Sequence, residues 1–175
     1  WLNLELPEEV VRDYLYNQSL YPESIPTTPE ELAIVQAAAR VSLQQAVRQA
    51  APGFSSQAIR PLPNLLPAFE PILAAGSTLV KSSSLGSSAM MLLDGLQPTG
   101  VTTLVLDQNF ISAALGAAAA VNPVLAVQVL DSNTFQFLGT VISPVCGVRP
   151  GTPVLRLKMT YASGHETQLD VKQGS

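Results

Sequence analysis

The middle of the sequence alternates short apolar runs of strand character with segments of helix character. Residues 72–76 form an apolar run that ends at Gly76, and residues 102–107 are rich in β-branched and apolar side chains, as buried strands are. A Ser-rich loop and a helical pattern over residues 87–96 separate the two runs. This order predicts a mixed α/β fold, because such folds alternate strands with helices.

Two helices are predicted in the N-terminal third of the chain. A proline followed by two glutamates predicts a first helix over residues 7–20, since the helix dipole favours acidic side chains in the first turn. Thr28 can cap a second helix, with Pro29 at its first position and Glu31 three residues after the cap. This second helix is expected to end near residues 52–53.

One face of the second helix carries most of its regularly spaced apolar residues. These residues recur at intervals of three and four, and they are Leu32, Val35, Ala39, Leu43, Ala46 and Ala50. Arg40, Gln44 and Arg48 fall on the opposite side of the helix. The pattern predicts that the apolar face packs against the rest of the fold.

The longest apolar run of the chain covers residues 110–130 and resembles a membrane span at first sight. Asn122 and Pro123 interrupt it, and much of it is alanine. It is therefore interpreted as two short buried helices over residues 110–121 and 124–130, and no membrane association is expected.

The apolar period changes to two in the last third of the chain. Residues 155–161 and 166–172 alternate apolar and polar side chains, and Ser163 and Gly164 supply a turn between them. The pattern predicts a hairpin with one apolar face, within a small antiparallel β unit.

These patterns divide the chain into four parts. They are an N-terminal helical segment (1–53), a Pro-rich extended connection (54–71), a strand-loop-helix part (72–131) and the antiparallel β unit (132–175). The chain also lacks an initiator methionine, and its ends fall within patterns of structured sequence. It is interpreted as a fragment of a larger protein.

Charge and cysteine content exclude several classes of function. The net charge of -4 and the absence of a basic cluster argue against nucleic acid as a partner. The N-terminus has no signal-peptide pattern and Cys146 is the single cysteine, so a reducing cytoplasm fits best. One histidine and one cysteine do not make a transition-metal site. We interpret Cys146 as a buried inert thiol and His165 as a solvated turn residue.

The Ser-rich segment is a candidate anion site that lacks the common phosphate-binding motifs. Residues 76–81 do not contain the Gly-Lys pair of the Walker pattern. Gly76 would let the backbone approach a ligand, and the serines and Gly86 lead into a helix start whose N–H groups favour phosphate. The alternative is a flexible surface loop, and the residues alone leave both interpretations open.

Two aspartates allow both a functional and a structural interpretation. Asp107 ends a predicted strand, where functional carboxylates are common in α/β sheets, and Asp94 lies in a predicted helix. Each can equally act as a cap, and Asp107 precedes a predicted helix by a short turn. No catalytic residue is assigned, because no nucleophile or acid–base pair with a partner can be assembled from the sequence.

Several stretches together resemble the C-terminal part of the glutamate mutase accessory proteins called MutL or GlmL. The resemblance follows the order of the chain over nearly its whole length, in residues 1–4, 11–14, 21–22, 25–28, 89–98, 100–102, 115–117 and 138–144. Its most specific piece is Leu-Leu-Asp-Gly-Leu-Gln-Pro-x-Gly-Val, residues 92–101.

The resemblance implies one lobe of an ATPase of the actin, Hsp70 and sugar-kinase superfamily, with helices around a sheet, followed by the β unit. It also implies association with an adenosylcobalamin-dependent mutase, as an ATP-using chaperone or reactivator. Gly76, Ser77 and Thr78 fall on the turn that touches the adenosine side of the nucleotide in that superfamily. The family pattern at this turn is richer in glycine than this sequence.

The superfamily's phosphate loop and metal-binding acid would lie upstream of Trp1. ATP or ADP with magnesium is therefore expected to bind the complete parent protein, and neither a cofactor nor catalysis is expected of the fragment alone. The alternative function is a structural or interaction domain that has lost nucleotide binding.

Overall fold

The computed structural model describes residues 5–50 and 66–174, and within them it is a mixed α/β fold, as the sequence predicts. Its helices are α1 (Glu8–Leu20), α2 (Pro29–Ala50), α3 (Ser77–Val80), α4 (Leu85–Leu96), α5 (Ser112–Ala119) and α6 (Pro123–Leu130). Its strands are β1 (Ile72–Ala74), β2 (Gly100–Leu106), β3 (Gln136–Ser143), β4 (Pro153–Thr160) and β5 (Glu166–Lys172).

The strands form two sheets. The first has the order β1-β2-β3, with β1 parallel and β3 antiparallel to β2, and the second is the antiparallel hairpin of β4 and β5. The hairpin confirms the prediction made from the period-two pattern of residues 155–161 and 166–172. The expectation that the whole of residues 132–175 forms one antiparallel unit is wrong for β3, because this strand pairs with β2. Nothing in the strand's own sequence distinguishes the two pairings.

A capping box begins α2, as the sequence predicts. The Glu31 N–H donates to Thr28 Oγ1 at 3.2 Å, while the N–H groups of Thr27 and Thr28 donate to Glu31 Oε2 at 2.7 and 3.3 Å. The helix is described as far as Ala50, and the predicted end near residues 52–53 lies outside the described residues, as does most of the Pro-rich connection.

The hydrophobic core lies between one face of the first sheet and the helix α4. Its buried members are Ala74, Leu79, Met91, Leu92, Leu104 and Leu106. Alternate residues of β2 point into it, which is the two-residue period of a strand with one covered face. Leu43 of α2 and other half-buried apolar residues pack against this cluster.

The interface between α2 and α4 includes polar groups that the helical pattern assigned to the opposite side of α2. Arg40 Nε lies 2.9 Å from Asp94 Oδ2, and Gln44 Nε2 donates to the backbone oxygen of Asp94 at 3.1 Å. Ala46, by contrast, is exposed. The predicted packing face is thus wrong at its C-terminal end, because α4 meets α2 from the side that carries Arg40 and Gln44.

The predicted Ser-rich loop contains the short helix α3, and a buried serine ties it to α4. The Ser88 hydroxyl donates to the backbone oxygen of Leu79 at 2.7 Å, and Ser88 is almost completely buried. Ser88→Ala should reduce the free energy of unfolding by about 1–2 kcal/mol, since the buried oxygen loses its donor. Urea unfolding measures this, with the exposed Ser83→Ala as control. Equal losses in both variants would contradict the buried bond.

The apolar run forms two helices, α5 and α6, as predicted, but they are not buried as expected. No residue of α5 is buried, and Ala126 is the buried residue of α6. Val121, between the two helices, is 89% exposed. None of the described helices combines the length and the apolar composition that a membrane-spanning segment requires.

Candidate functional site

The turn after β1 has a backbone conformation that only glycine adopts readily. Gly76 has φ 144° and ψ 143°, and its carbonyl accepts hydrogen bonds from the N–H groups of Leu79 (3.1 Å) and Val80 (3.0 Å). An added Cβ at Gly76 would meet no atom within 4 Å. Conformation, and not lack of space, therefore requires glycine here, and the backbone beside it is accessible.

A groove of about 360 Å³ runs along this turn. The turn forms one wall through Gly76, Ser77 and Thr78, and the other walls come from Leu15 and Gln18 of α1 and from α2. The structure thus brings together three of the four residues predicted to contact a nucleotide. The turn follows β1 directly and so lies at the carboxyl end of a strand that pairs in parallel with β2, where ligands commonly bind α/β sheets.

Two polar side chains at the turn are engaged by the connection between α1 and α2. The Ser77 hydroxyl donates to the backbone oxygen of Pro22 at 3.0 Å, and the Lys81 ammonium lies 2.5 Å from a carboxylate oxygen of Glu23. The sequence did not suggest a role for Lys81. The only sign of one was a positively charged residue four positions after Ser77.

Gly86, the fourth predicted residue, lies apart from this groove in the first turn of α4. Ser84 caps the helix by accepting a hydrogen bond from the Ser87 N–H at 3.1 Å, as the candidate helix start suggested. The residues that line the groove do not include Gly86. A nucleotide contact at Gly86 stays a prediction, as it does at the other three positions.

Asp107 has a structural role, as one of its two interpretations held, although the N-cap position of α5 is Ile111 and not Asp107. Its carboxylate is fully buried and accepts hydrogen bonds from the N–H groups of Asn109 (3.2 Å), Ile111 (3.2 Å) and Ser112 (2.7 Å). These bonds hold the turn between β2 and α5. Asp94 is likewise occupied, because it pairs with Arg40. Neither carboxylate faces the groove beside Gly76.

Cys146 and His165 both lie far along the chain from the turn. Cys146 is half-buried, and its thiol donates to Gln173 Oε1 at 3.3 Å, while His165 is exposed at the turn of the β4–β5 hairpin. Cys146 also lines a wide depression of about 490 Å³ between the ends of α4 and β3. Within the described ranges, no group of three or more His, Cys, Asp or Glu could hold a metal ion.

Fold and site together define a mixed α/β protein whose candidate ligand turn joins a sheet strand to a helix. Residues 2–134 match the family described as MutL protein, which is more than half of the chain. The chain therefore belongs to the MutL/GlmL family, the family that its sequence resembles. The match ends before β3. No curated protein and no solved structure matched the chain.

Proposed function

We propose that this chain supplies one lobe of a nucleotide cleft in an accessory protein that acts on an adenosylcobalamin-dependent mutase. The whole protein would use ATP or ADP with magnesium as a cytoplasmic chaperone or reactivator. The observation that carries the proposal is the glycine turn at the carboxyl end of β1, which opens onto a groove. Family membership supports it, because the family resembles the actin and Hsp70 type of ATPase.

In this proposal the turn binds the adenosine side of the nucleotide. Gly76 contributes accessible backbone, Thr78 contributes a side chain at the groove, and Ser77 contributes a hydroxyl that has to leave Pro22 first. No hydrolytic step is assigned to these residues, since none of them pairs a nucleophile with a base. The phosphate loop and the magnesium ligands belong to the upstream lobe.

A second candidate is an interaction domain without nucleotide, favoured by the exposed apolar surface. Val101 and Phe137 are 57% and 59% exposed, and they lie on the sheet face away from the core. The helix α6 exposes further apolar side chains, among them Val124 and Val127. Exposed patches of this kind mark protein contacts in many proteins.

Calorimetry separates the two candidates. ATP and ADP with magnesium are titrated into the complete parent protein and into this chain alone. Micromolar binding by the parent, with none by the chain, supports the two-lobe cleft. If the parent produces neither heat nor a thermal shift with either nucleotide, the cleft is excluded and the interaction domain takes its place.

Gly76→Ala should weaken nucleotide binding by the parent at least tenfold and reduce the free energy of unfolding by about 1–3 kcal/mol, because a side chain at this φ is strained. The matched control is Gly151→Ala, which also has positive φ and open space but lies near the β4–β5 hairpin. The control should lose stability and retain affinity. Equal nucleotide affinity in the two variants would show that the turn at Gly76 is not part of the nucleotide site.

A further inference from the structure

We infer that α1 and residues 21–24 form a strap that covers the candidate turn and is held closed by Glu23. This inference concerns regulation of the same site and rests on the proposed function. Residues 21–24, which follow α1 directly, are called the strap loop below. The strap competes with an anionic ligand for the polar groups at the turn.

The strap loop is a compact unit held by its own hydrogen bonds. Gln18 Nε2 donates to the backbone oxygen of Pro22 at 3.3 Å, and the Ser24 hydroxyl donates to Gln18 Oε1 at 2.9 Å. The Tyr21 N–H donates to the backbone oxygen of Asn17 in α1, and the Ser24 N–H donates to the backbone oxygen of Tyr21. The loop can therefore move with the end of α1 as one piece.

The strap loop makes polar contacts with Ser77 of α3 and with Lys81, the residue that follows α3. Ser77 donates to the Pro22 oxygen, and the Lys81 ammonium donates to the Glu23 backbone oxygen at 2.7 Å besides pairing with its carboxylate. Lys81 is 28% exposed and Glu23 73% exposed. Ion pairs of such exposure contribute little, so the attachment is weak enough to open.

The rest of α1 adds little to this attachment. None of its residues is buried, and Val10, Tyr16 and Leu20 are each more than half exposed. Leu15 and Gln18 form the α1 wall of the groove beside Gly76. Movement of α1 away from α2 would therefore widen the groove without exposing a buried residue of α1 itself.

The closed strap occupies polar groups beside the turn. Lys81 does not line the groove itself, but it is a cation close to the turn, and the Glu23 carboxylate pairs with it as the phosphate nearest the adenosine would. The Ser77 hydroxyl is likewise used within the chain. Binding of an anionic ligand then has to displace Glu23, and loss of that carboxylate should favour binding.

The test compares Glu23→Gln with Glu5→Gln in the complete parent protein. Both remove one negative charge, but Glu5 is an exposed residue before α1. Hydrogen exchange of the α1 and strap-loop amides should become about two- to fivefold faster in Glu23→Gln, as for loss of a weak ion pair. ATP should bind tighter by a similar factor. Glu5→Gln should change neither.

A third variant, Lys81→Gln, separates opening from ligand contact. It should speed exchange in α1 as Glu23→Gln does, yet ATP affinity should not rise, because the ammonium is gone. Unchanged exchange in Glu23→Gln, or weaker ATP binding by it, would overturn the strap. Another outcome is that exchange in Glu23→Gln rises while neither the wild type nor any variant binds a nucleotide. In that case Glu23 does hold α1 and the strap loop in place, but the proposed nucleotide function fails.

Discussion

Gly95→Val should reduce the free energy of unfolding by about 3 kcal/mol, because the new side chain has no room between α2 and α4. A Cβ at Gly95 would lie 2.6 Å from Leu43 Cβ and 2.7 Å from Leu43 Cδ1. Leu43 Cβ is fixed to the α2 backbone, so the helices have to move apart. Urea unfolding followed by circular dichroism measures the loss.

Gly116→Ala is the matched control, since Gly116 is also a helical glycine but has no atom within 4 Å of an added Cβ. It should raise stability by up to about 1 kcal/mol, through helix propensity alone. Helix propensity also favours a residue other than glycine at position 95, so the predicted loss there reports on packing. A neutral or stabilising Gly95→Val would show that α2 and α4 do not approach as closely as the structure has them.

Asp107→Ala should reduce the free energy of unfolding by about 3 kcal/mol, because it leaves three backbone donors without their acceptor. The carboxylate is fully buried, so water does not readily replace it. Asp107→Asn should lose less, since its amide oxygen can still accept a bond. Similar losses in the two variants would contradict this expectation, because Asn has nearly the volume of Asp, and would show that the charged carboxylate with both of its oxygens is required.

The effect of Asp107 should depend on pH. Burial raises the pKa of Asp107, but the hydrogen bonds from Ser112, Ile111 and Asn109 together outweigh it and hold the pKa below its ordinary value. Because the folded pKa is lower than the unfolded one, about 3.9, the carboxylate stabilises the fold above that pH. Its contribution is lost as the pH falls through the folded pKa.

Unfolding of wild type and Asp107→Asn at a series of pH values tests this dependence. The difference in stability between them should be constant near neutral pH and should shrink below about pH 4. The carboxylates of Glu31 and Asp170 also have lowered pKa values. Both variants retain them, so the comparison isolates Asp107. A difference that stays constant down to low pH would contradict the lowered pKa.

Local signals in the sequence were sufficient for most of the elements. Thr28 and Glu31 predicted the start of α2, because a capping box needs only residues three apart. The alternation in β4 and β5 likewise predicted their hairpin, since a short turn joins them. Family membership was also readable from short stretches, of which residues 92–101 are the most specific.

Contacts between distant segments were not predictable in the same way. The pairing of β3 with β2 spans the whole α5–α6 region, and the pattern of β3 suits either sheet. Arg40 and Gln44 were assigned away from the packing face, because periodicity does not show from which side α4 approaches. The apolar sequence of α5 and α6 predicted that both helices are buried. They are mostly exposed, because burial depends on whether other elements pack against a helix and not on its own sequence alone.

The sequence by itself determined the class of fold, the helix starts, the glycine turn and the family, because each depends on residues close together in the chain. Tertiary structure alone decided that Gly76, Ser77 and Thr78 face a groove, that Gly86 lies outside it, and that Glu23 pairs with Lys81. Glu23 and Lys81 are separated by 57 intervening residues. Only the contacts that the loop after α1 makes with Ser77 and Lys81 bring their charges together.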